Sequence, residues 1–187
     1  MSNRELAQLK ADLAEIPQVS SALVPVKSRD FFWFSPILTP KLSDKVADLV
    51  VIPENRQQLT KITSACAKWR IPLTLRGGGT DNYGQAVPLH GGVVLDMTGF
   101  NKVISSAPGV VRFDAGCRLL DIDKALKPMG WEMRFFPSTR RFATIGGYSR
   151  WRRRYRILYL GSAGGSWRSA CRGAADGRGD TVNHTTA

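Results

Sequence analysis

Two short segments hold the residues whose types and spacing could do chemistry. The first is RGGGTDNYGQ, which holds Arg76, Gly77, Gly78, Gly79, Thr80, Asp81, Asn82, Tyr83, Gly84 and Gln85. It follows directly on the apolar run IPLTL. Three consecutive glycines cost backbone entropy and so need a structural reason. One reason is close approach of the backbone to something bulky, usually a phosphate, with successive N–H groups forming a concavity around the anion. A plain surface turn is the alternative. The segment is not a P-loop, because no Lys-Ser/Thr pair follows the glycines. It is not the GxGxxG dinucleotide fingerprint either, because no helix is expected to open immediately after it. The second segment is PSTRRFATIGGY, residues 137–148. Pro137, Ser138 and Thr139 place two hydroxyls on a turn, while Ala143, Thr144, Ile145, Gly146 and Gly147 offer small residues and free backbone amides.

Strands and helices must position these segments. Leu6, Leu9, Leu13 and Ile16 recur at helical spacing over residues 3–15, and Pro17 ends the run. Leu49–Ile52 reads as a short buried strand. Asn55 is placed to cap a helix reaching Trp69, with Leu59, Ile62, Ala65 and Cys66 on one face. Pro72–Leu75 is a second strand and runs straight into the glycines. Val93–Asp96, Lys102–Ser105 and Val110–Asp114 are strand-like, and Leu119–Met129 is a helix closed by Gly130. The aromatic, Pro-broken stretch Phe31–Pro40 is expected to pack on the core, a substrate-facing wall being the alternative. Strand, helix and strand followed by several short strands predict a mixed α+β domain.

The composition narrows the function classes. The chain has 187 residues, 43% hydrophobic and 22% charged, which is globular composition. No apolar run approaches the roughly 20 residues of a membrane span. The N-terminus lacks the apolar stretch of a secretory signal. Cys66, Cys117 and Cys171 stand far apart, which excludes a disulfide scaffold or a zinc ribbon and suits a cytoplasmic protein. The net charge of +12 suggests nucleic acid at first sight. Its distribution argues otherwise. Residues 1–148 hold 19 Lys and Arg against 13 Asp and Glu, whereas residues 149–187 hold 8 Arg and 2 Asp. The excess sits in an Arg-only tail, and nucleic acid is not the expected partner.

Together, in this order and at this separation, the two segments resemble those of the FAD-binding type-4 oxidoreductases, of the vanillyl-alcohol oxidase and p-cresol methylhydroxylase (PCMH) fold. The likeness is to their glycolate oxidase and D-lactate dehydrogenase branch. It runs from about Phe32 to Tyr148 and rests on VVIPEN, IPLTLRGGGT, GGVVLDMTGFNKV, DAGCRLLDI and FFPSTRRFATIGG. The resemblance implies the N-terminal lobe of a PCMH-type FAD-binding domain. The loop Arg76–Gln85 would wrap the FAD pyrophosphate with the N–H groups of Gly77, Gly78, Gly79 and Thr80. Pro137, Ser138, Thr139, Thr144, Gly146 and Gly147 would line the other flank. Covalent relatives carry a His where Thr80 stands, so the resemblance implies non-covalent FAD, with His90 an ordinary loop residue. The parent activity would be flavin-dependent oxidation of a 2-hydroxy acid, with hydride passing from the α-carbon to the flavin and a second-domain base taking the hydroxyl proton. No residue here matches that base.

Two departures from the family pattern stand out. Asp81 occupies a position where similar proteins carry Gly, and a carboxylate beside a pyrophosphate is unfavourable. The pattern also stops at Tyr148, where relatives continue with a glycine-rich run and a substrate domain. Read one base later, Trp151 and Trp167 become Gly codons and the Arg codons become compatible with Gly or Ala. The expected organisation is therefore an N-terminal helix and linker over 1–30, a partial FAD-binding domain over 31–148, and an irregular, basic, out-of-frame tail over 149–187. The leading expectation is a flavoenzyme fragment, inactive alone, with weakened FAD affinity. The alternatives are a subunit of a split enzyme, completed by another chain that supplies the substrate domain, and a basic nucleic-acid-binding protein acting through WRRRYRILYL.

Overall fold

The computed structural model describes residues 3–107, 110–133 and 137–152. Helix α1 (Asn3–Asp12) is shorter than the expected span. Its apolar stripe nevertheless continues through turns, with Leu13 N–H donating to Leu9 O and Ile16 N–H to Leu13 O, both at 3.0 Å. Leu9, Leu13 and Ile16 are all buried. The chain then pairs briefly with the first strand, Val19 N–H donating to Val50 O at 3.0 Å. Short helix α2 (Val24–Lys27), a 3-10 turn at Phe31–Phe34 and helix α3 (Thr39–Leu42) lead to strand β1 (Leu49–Val51).

The sheet follows from apolar runs joined by a helical crossover. Helix α4 (Arg56–Lys68) starts where the sequence placed it, because the Asn55 side chain accepts the Gln58 N–H at 2.9 Å. Replacing Asn55 by Ala should therefore cost about 1 kcal/mol in a urea melt. An unmoved midpoint would show that the cap contributes nothing. Strands β2 (Leu73–Arg76) and β3 (Val93–Asp96) complete a parallel sheet of order β1-β3-β2. The central strand β3 is buried along its whole length. Side chains alternate between faces along a strand. Val93 and Leu95 thus join Leu49, Val51, Ile62, Leu9 and Leu13 in one core. Val94 packs on the other face with Val50, Val24 and Ala47. Asp96 shares Val94's face and is fully buried at the end of the strand.

A second, smaller core follows. Strands β4 (Val103–Ala107) and β5 (Val110–Phe113) form an antiparallel pair, irregular between Val103 and Ser105. Helix α5 (Leu119–Leu126) ends through a 3-10 turn on Gly130, whose φ of +73° suits glycine. Leu119, Ile122, Leu126, Cys117, Met133, Ala143 and Tyr148 pack together. Helix α6 (Ile145–Arg152) closes the described chain, so the expected boundary at Tyr148 falls inside a helix. The rest of the tail, with Cys171, lies outside the described residues. The α+β expectation holds, and no helix among the described residues is long and apolar enough to cross a membrane.

The aromatic segment is a correction. Only Phe32 is buried, whereas Trp33 is 54% and Phe34 69% exposed. In a 3-10 turn side chains three positions apart share a face, so Phe32 shares its face with Ser35 and not with Phe31, Trp33 or Phe34. Trp33 and Phe34 stack on each other instead, with ring centroids 3.9 Å apart. Cys66 behaves as expected of a core thiol, burial raising its pKa to about 11.

Candidate functional site

Strand β2 delivers the glycines to the carboxyl end of a parallel sheet, where α/β sheets characteristically bind ligands. There the two segments singled out by sequence meet. A Cβ on Gly77 would overlap the Thr144 hydroxyl, and one on Gly78 would overlap the Phe142 carbonyl. Neither glycine has positive φ, so both are required for space. Gly79 and Gly84 are the left-handed residues of the loop, with φ of +64° and +78°. Asp81 is not among the residues of positive φ. The space above Gly79 is filled by the Arg76 guanidinium.

Among the described residues, the N–H groups of Gly77, Gly78, Gly79 and Thr80 donate to no acceptor. Gly79 is buried and the other three are half-buried, and buried backbone donors are nearly always satisfied in a folded chain. Opposite them, Thr144 is 2% exposed and its Oγ1 has no hydrogen-bond partner. Thr144 O accepts the Tyr148 N–H at 2.9 Å, which makes Thr144 the residue from which α6 springs. A helix N-terminus favours an anion, although of the first-turn amides of α6 only that of Gly147 has no acceptor among the described residues. Gly147 belongs to that first turn, and a Cβ there would meet only Thr144 Oγ1, at 3.5 Å.

The second segment is held by its neighbour rather than left free. Leu119 N–H donates to Ala143 O at 3.0 Å, Ile145 N–H to Cys117 O at 2.8 Å, and Gly146 N–H to Ala115 O at 2.8 Å. Ala143 N–H donates to Thr139 O at 2.9 Å. The amides of Ala143, Ile145 and Gly146, expected to be free, are therefore spoken for. Gly146 is small because a Cβ would press on Ala115 O. Pro137, Ser138 and Thr139 form the turn that opens the segment, with Arg140 N–H donating to Pro137 O at 3.1 Å. No hydrogen bond among the described residues joins them to the glycines. Asn82 and Tyr83 are exposed, and Tyr83 N–H donates to Gln85 Oε1 at 3.1 Å.

Sequence reasoning missed the charges beneath the loop. The Arg76 guanidinium donates to the Arg29 carbonyl and is flanked by Asp96, Asp30 and Asp81. Burial lowers its pKa, opposed by those carboxylates. Burial also raises the pKa of Asp81, Asp30 adds to the rise, and Arg76 opposes it. Lys27 Nζ lies 2.7 Å from Asp96 Oδ2. Asp30 Oδ1 accepts the Phe32 N–H at 2.9 Å, while its Oδ2 is buried without a partner. The Asp-Phe pattern before the aromatic turn was the only local signal, an N-cap.

A sequence model described as "FAD binding domain" matches residues 47–150. The chain belongs to this family. The chain is 36% identical over 101 residues to glycolate oxidase subunit GlcD of Escherichia coli K12, covering 53% of this chain and 20% of that protein. GlcD of Bacillus subtilis is 30% identical over 102 residues, covering 54% of this chain and 22% of that one. D-lactate dehydrogenase of Archaeoglobus fulgidus is 28% identical over 134 residues, covering 71% of this chain and 30% of its relative. The chain thus spans less than a third of each of these relatives. Among solved structures, alkyldihydroxyacetonephosphate synthase superposes with a TM-score of 0.66 at 19% identity, over 79% of this chain and 31% of the other. p-Cresol methylhydroxylase with substrate bound gives 0.62 at 18% identity, over 79% and 28%. The fold is accordingly that of the PCMH-type FAD-binding domain.

Proposed function

We propose that residues 31–148 form a unit that holds FAD non-covalently, with its pyrophosphate on the loop Arg76–Gln85. The observation that carries this reading is the run of unpaired amides at Gly77–Thr80 facing the unpartnered Thr144 hydroxyl. Hydrogen bonds to charged groups contribute more than neutral ones, about 1.5–3 kcal/mol each. A run of such donors therefore suits a diphosphate better than a neutral ligand. The α6 N-terminus adds positive potential, and Thr144 can donate from the second flank. Pro137, Ser138, Thr139, Gly146 and Gly147 shape that flank. Thr80 offers no side chain able to bond a flavin ring, which supports dissociable cofactor.

FAD supplies hydride acceptance when bound. Oxidation of a 2-hydroxy acid is the proposed activity of the site once completed. The substrate-binding groups and the proton-accepting base come from outside this unit, on a second domain or another chain. FAD titration followed by flavin fluorescence tests the binding, and saturable quenching is the expected result. Acid precipitation should then release all flavin into the supernatant. Flavin retained on the pellet would overturn the non-covalent assignment. The chain loaded with FAD should keep its oxidised spectrum when glycolate or D-lactate is added without oxygen. Bleaching would show that a base is present here after all.

A further inference from the structure

We propose that the segment Lys27–Phe31 is a strap that holds the phosphate loop in its binding shape, with Lys27 and Phe31 as positioning residues. The strap lies outside the family match at 47–150. This inference rests on the FAD reading of the loop. Three ties, made through alternate residues of the strap, link it to the loop and to the strand end beneath it. Lys27 Nζ meets Asp96 Oδ2 at 2.7 Å, the Arg29 carbonyl accepts from Arg76, and Phe31 N–H donates to Asp81 O at 2.8 Å. Arg76 and Asp81 are the residues flanking the four unpaired amides of Gly77–Thr80.

That placement has a physical consequence. The loop makes no ladder hydrogen bonds of its own between those two residues, so its shape is imposed by its ends and by the packing of Gly77 and Gly78 on Thr144 and Phe142. Fixing a residue's backbone costs roughly 1–2 kcal/mol of conformational entropy, which is charged against ligand affinity unless it is met beforehand. The strap meets it in the free protein. Arg76, bound to the strap, also fills the space over left-handed Gly79 and so sets the middle of the loop.

Phe31→Pro isolates one tie. Phe31 opens the 3-10 turn, and Asp30 before it is extended (φ −109°, ψ −156°), so proline fits the backbone and removes the N–H together with the ring. Phe31→Ala removes the same ring and keeps the N–H. Hydrogen–deuterium exchange without FAD and FAD titration are measured on the full chain. Phe31→Pro should speed exchange of amides 77–85 and raise the FAD dissociation constant roughly three- to tenfold, the worth of one hydrogen bond. Phe31→Ala should restore both to the wild-type values. Equal behaviour of the two variants, or unchanged exchange in 77–85 in Phe31→Pro, overturns the strap. If wild type fails to bind FAD, the cofactor reading falls and exchange alone decides the strap. If Phe31→Pro loses its cooperative melt, Arg76→Lys takes its place. The shorter ammonium withdraws from the Arg29 carbonyl, and faster exchange confined to 77–85 is again required.

Discussion

Gly78→Ala should abolish measurable FAD binding at micromolar cofactor while leaving a folded protein. The added Cβ meets the Phe142 carbonyl carbon at 2.6 Å and Ala143 Cα at 3.2 Å, with the carbonyl oxygen nearer still. These are backbone atoms and cannot swing aside. They are also anchored, since Ala143 N–H and Ala143 O are both bonded within the second core. The glycine loop must therefore move, and overpacking of this kind costs typically about 1–3 kcal/mol. Moving it takes two or more amides off the pyrophosphate. At about 1.5–3 kcal/mol for each charge-assisted bond, the loss is roughly a hundredfold or more. Gly130→Ala is the control. It forces a Cβ onto a residue at φ +73° with nothing within 4 Å, so it strains the backbone away from the loop. Comparable loss of thermal stability with intact FAD binding is expected there. Gly78→Ala binding FAD as wild type does would mean that the two flanks do not have to meet.

Much of the scaffold was legible because its signals are local. Asn55 caps α4, and Val93–Asp96 is a buried strand, as their own neighbours dictate. The glycine run was legible as a demand for space, but its object was not. Gly77 and Gly78 face Thr144 and Phe142, more than sixty residues away in sequence, and only the fold sets that contact. The amides of the second segment were misjudged for the same reason. Small residues expose their N–H groups in principle, yet Ala115 and Cys117 take up those of Gly146 and Ile145. The aromatic stretch failed differently. Four aromatics argue for burial by composition, whereas a single 3-10 turn allowed it to Phe32 alone. Nothing in the sequence announced that Lys27, Arg29 and Phe31 would lie along the loop, since each tie joins residues 47 to 69 positions apart.

Asp81→Asn should tighten FAD binding, and the gain should shrink as the pH is lowered. The isosteric amide keeps the backbone carbonyl that accepts from Phe31 and removes only the charge. A unit charge about 4 Å from a phosphate charge costs about 1 kcal/mol in water and about 4 kcal/mol at an effective dielectric of 20. Asp81 is half-buried, between those limits, which corresponds to a gain between about fivefold and a thousandfold. Burial and Asp30 raise its pKa above the ordinary 3.8, while Arg76 opposes them. The folded protein thus holds the proton to higher pH than the unfolded chain does. Stability linked to this group is present below its ordinary pKa and is lost as the pH rises through the raised value. Cofactor affinity follows the same sign, because only the ionised form repels the pyrophosphate. Wild type should accordingly bind FAD more tightly at pH 5 than at pH 8, with a steeper dependence than Asp81→Asn. Parallel pH profiles for the two proteins would place the Asp81 carboxylate away from the pyrophosphate, on the solvent side of the loop. The pyrophosphate would then feel only the amides and Arg76, and the departure from glycine at this position would carry no cost in affinity.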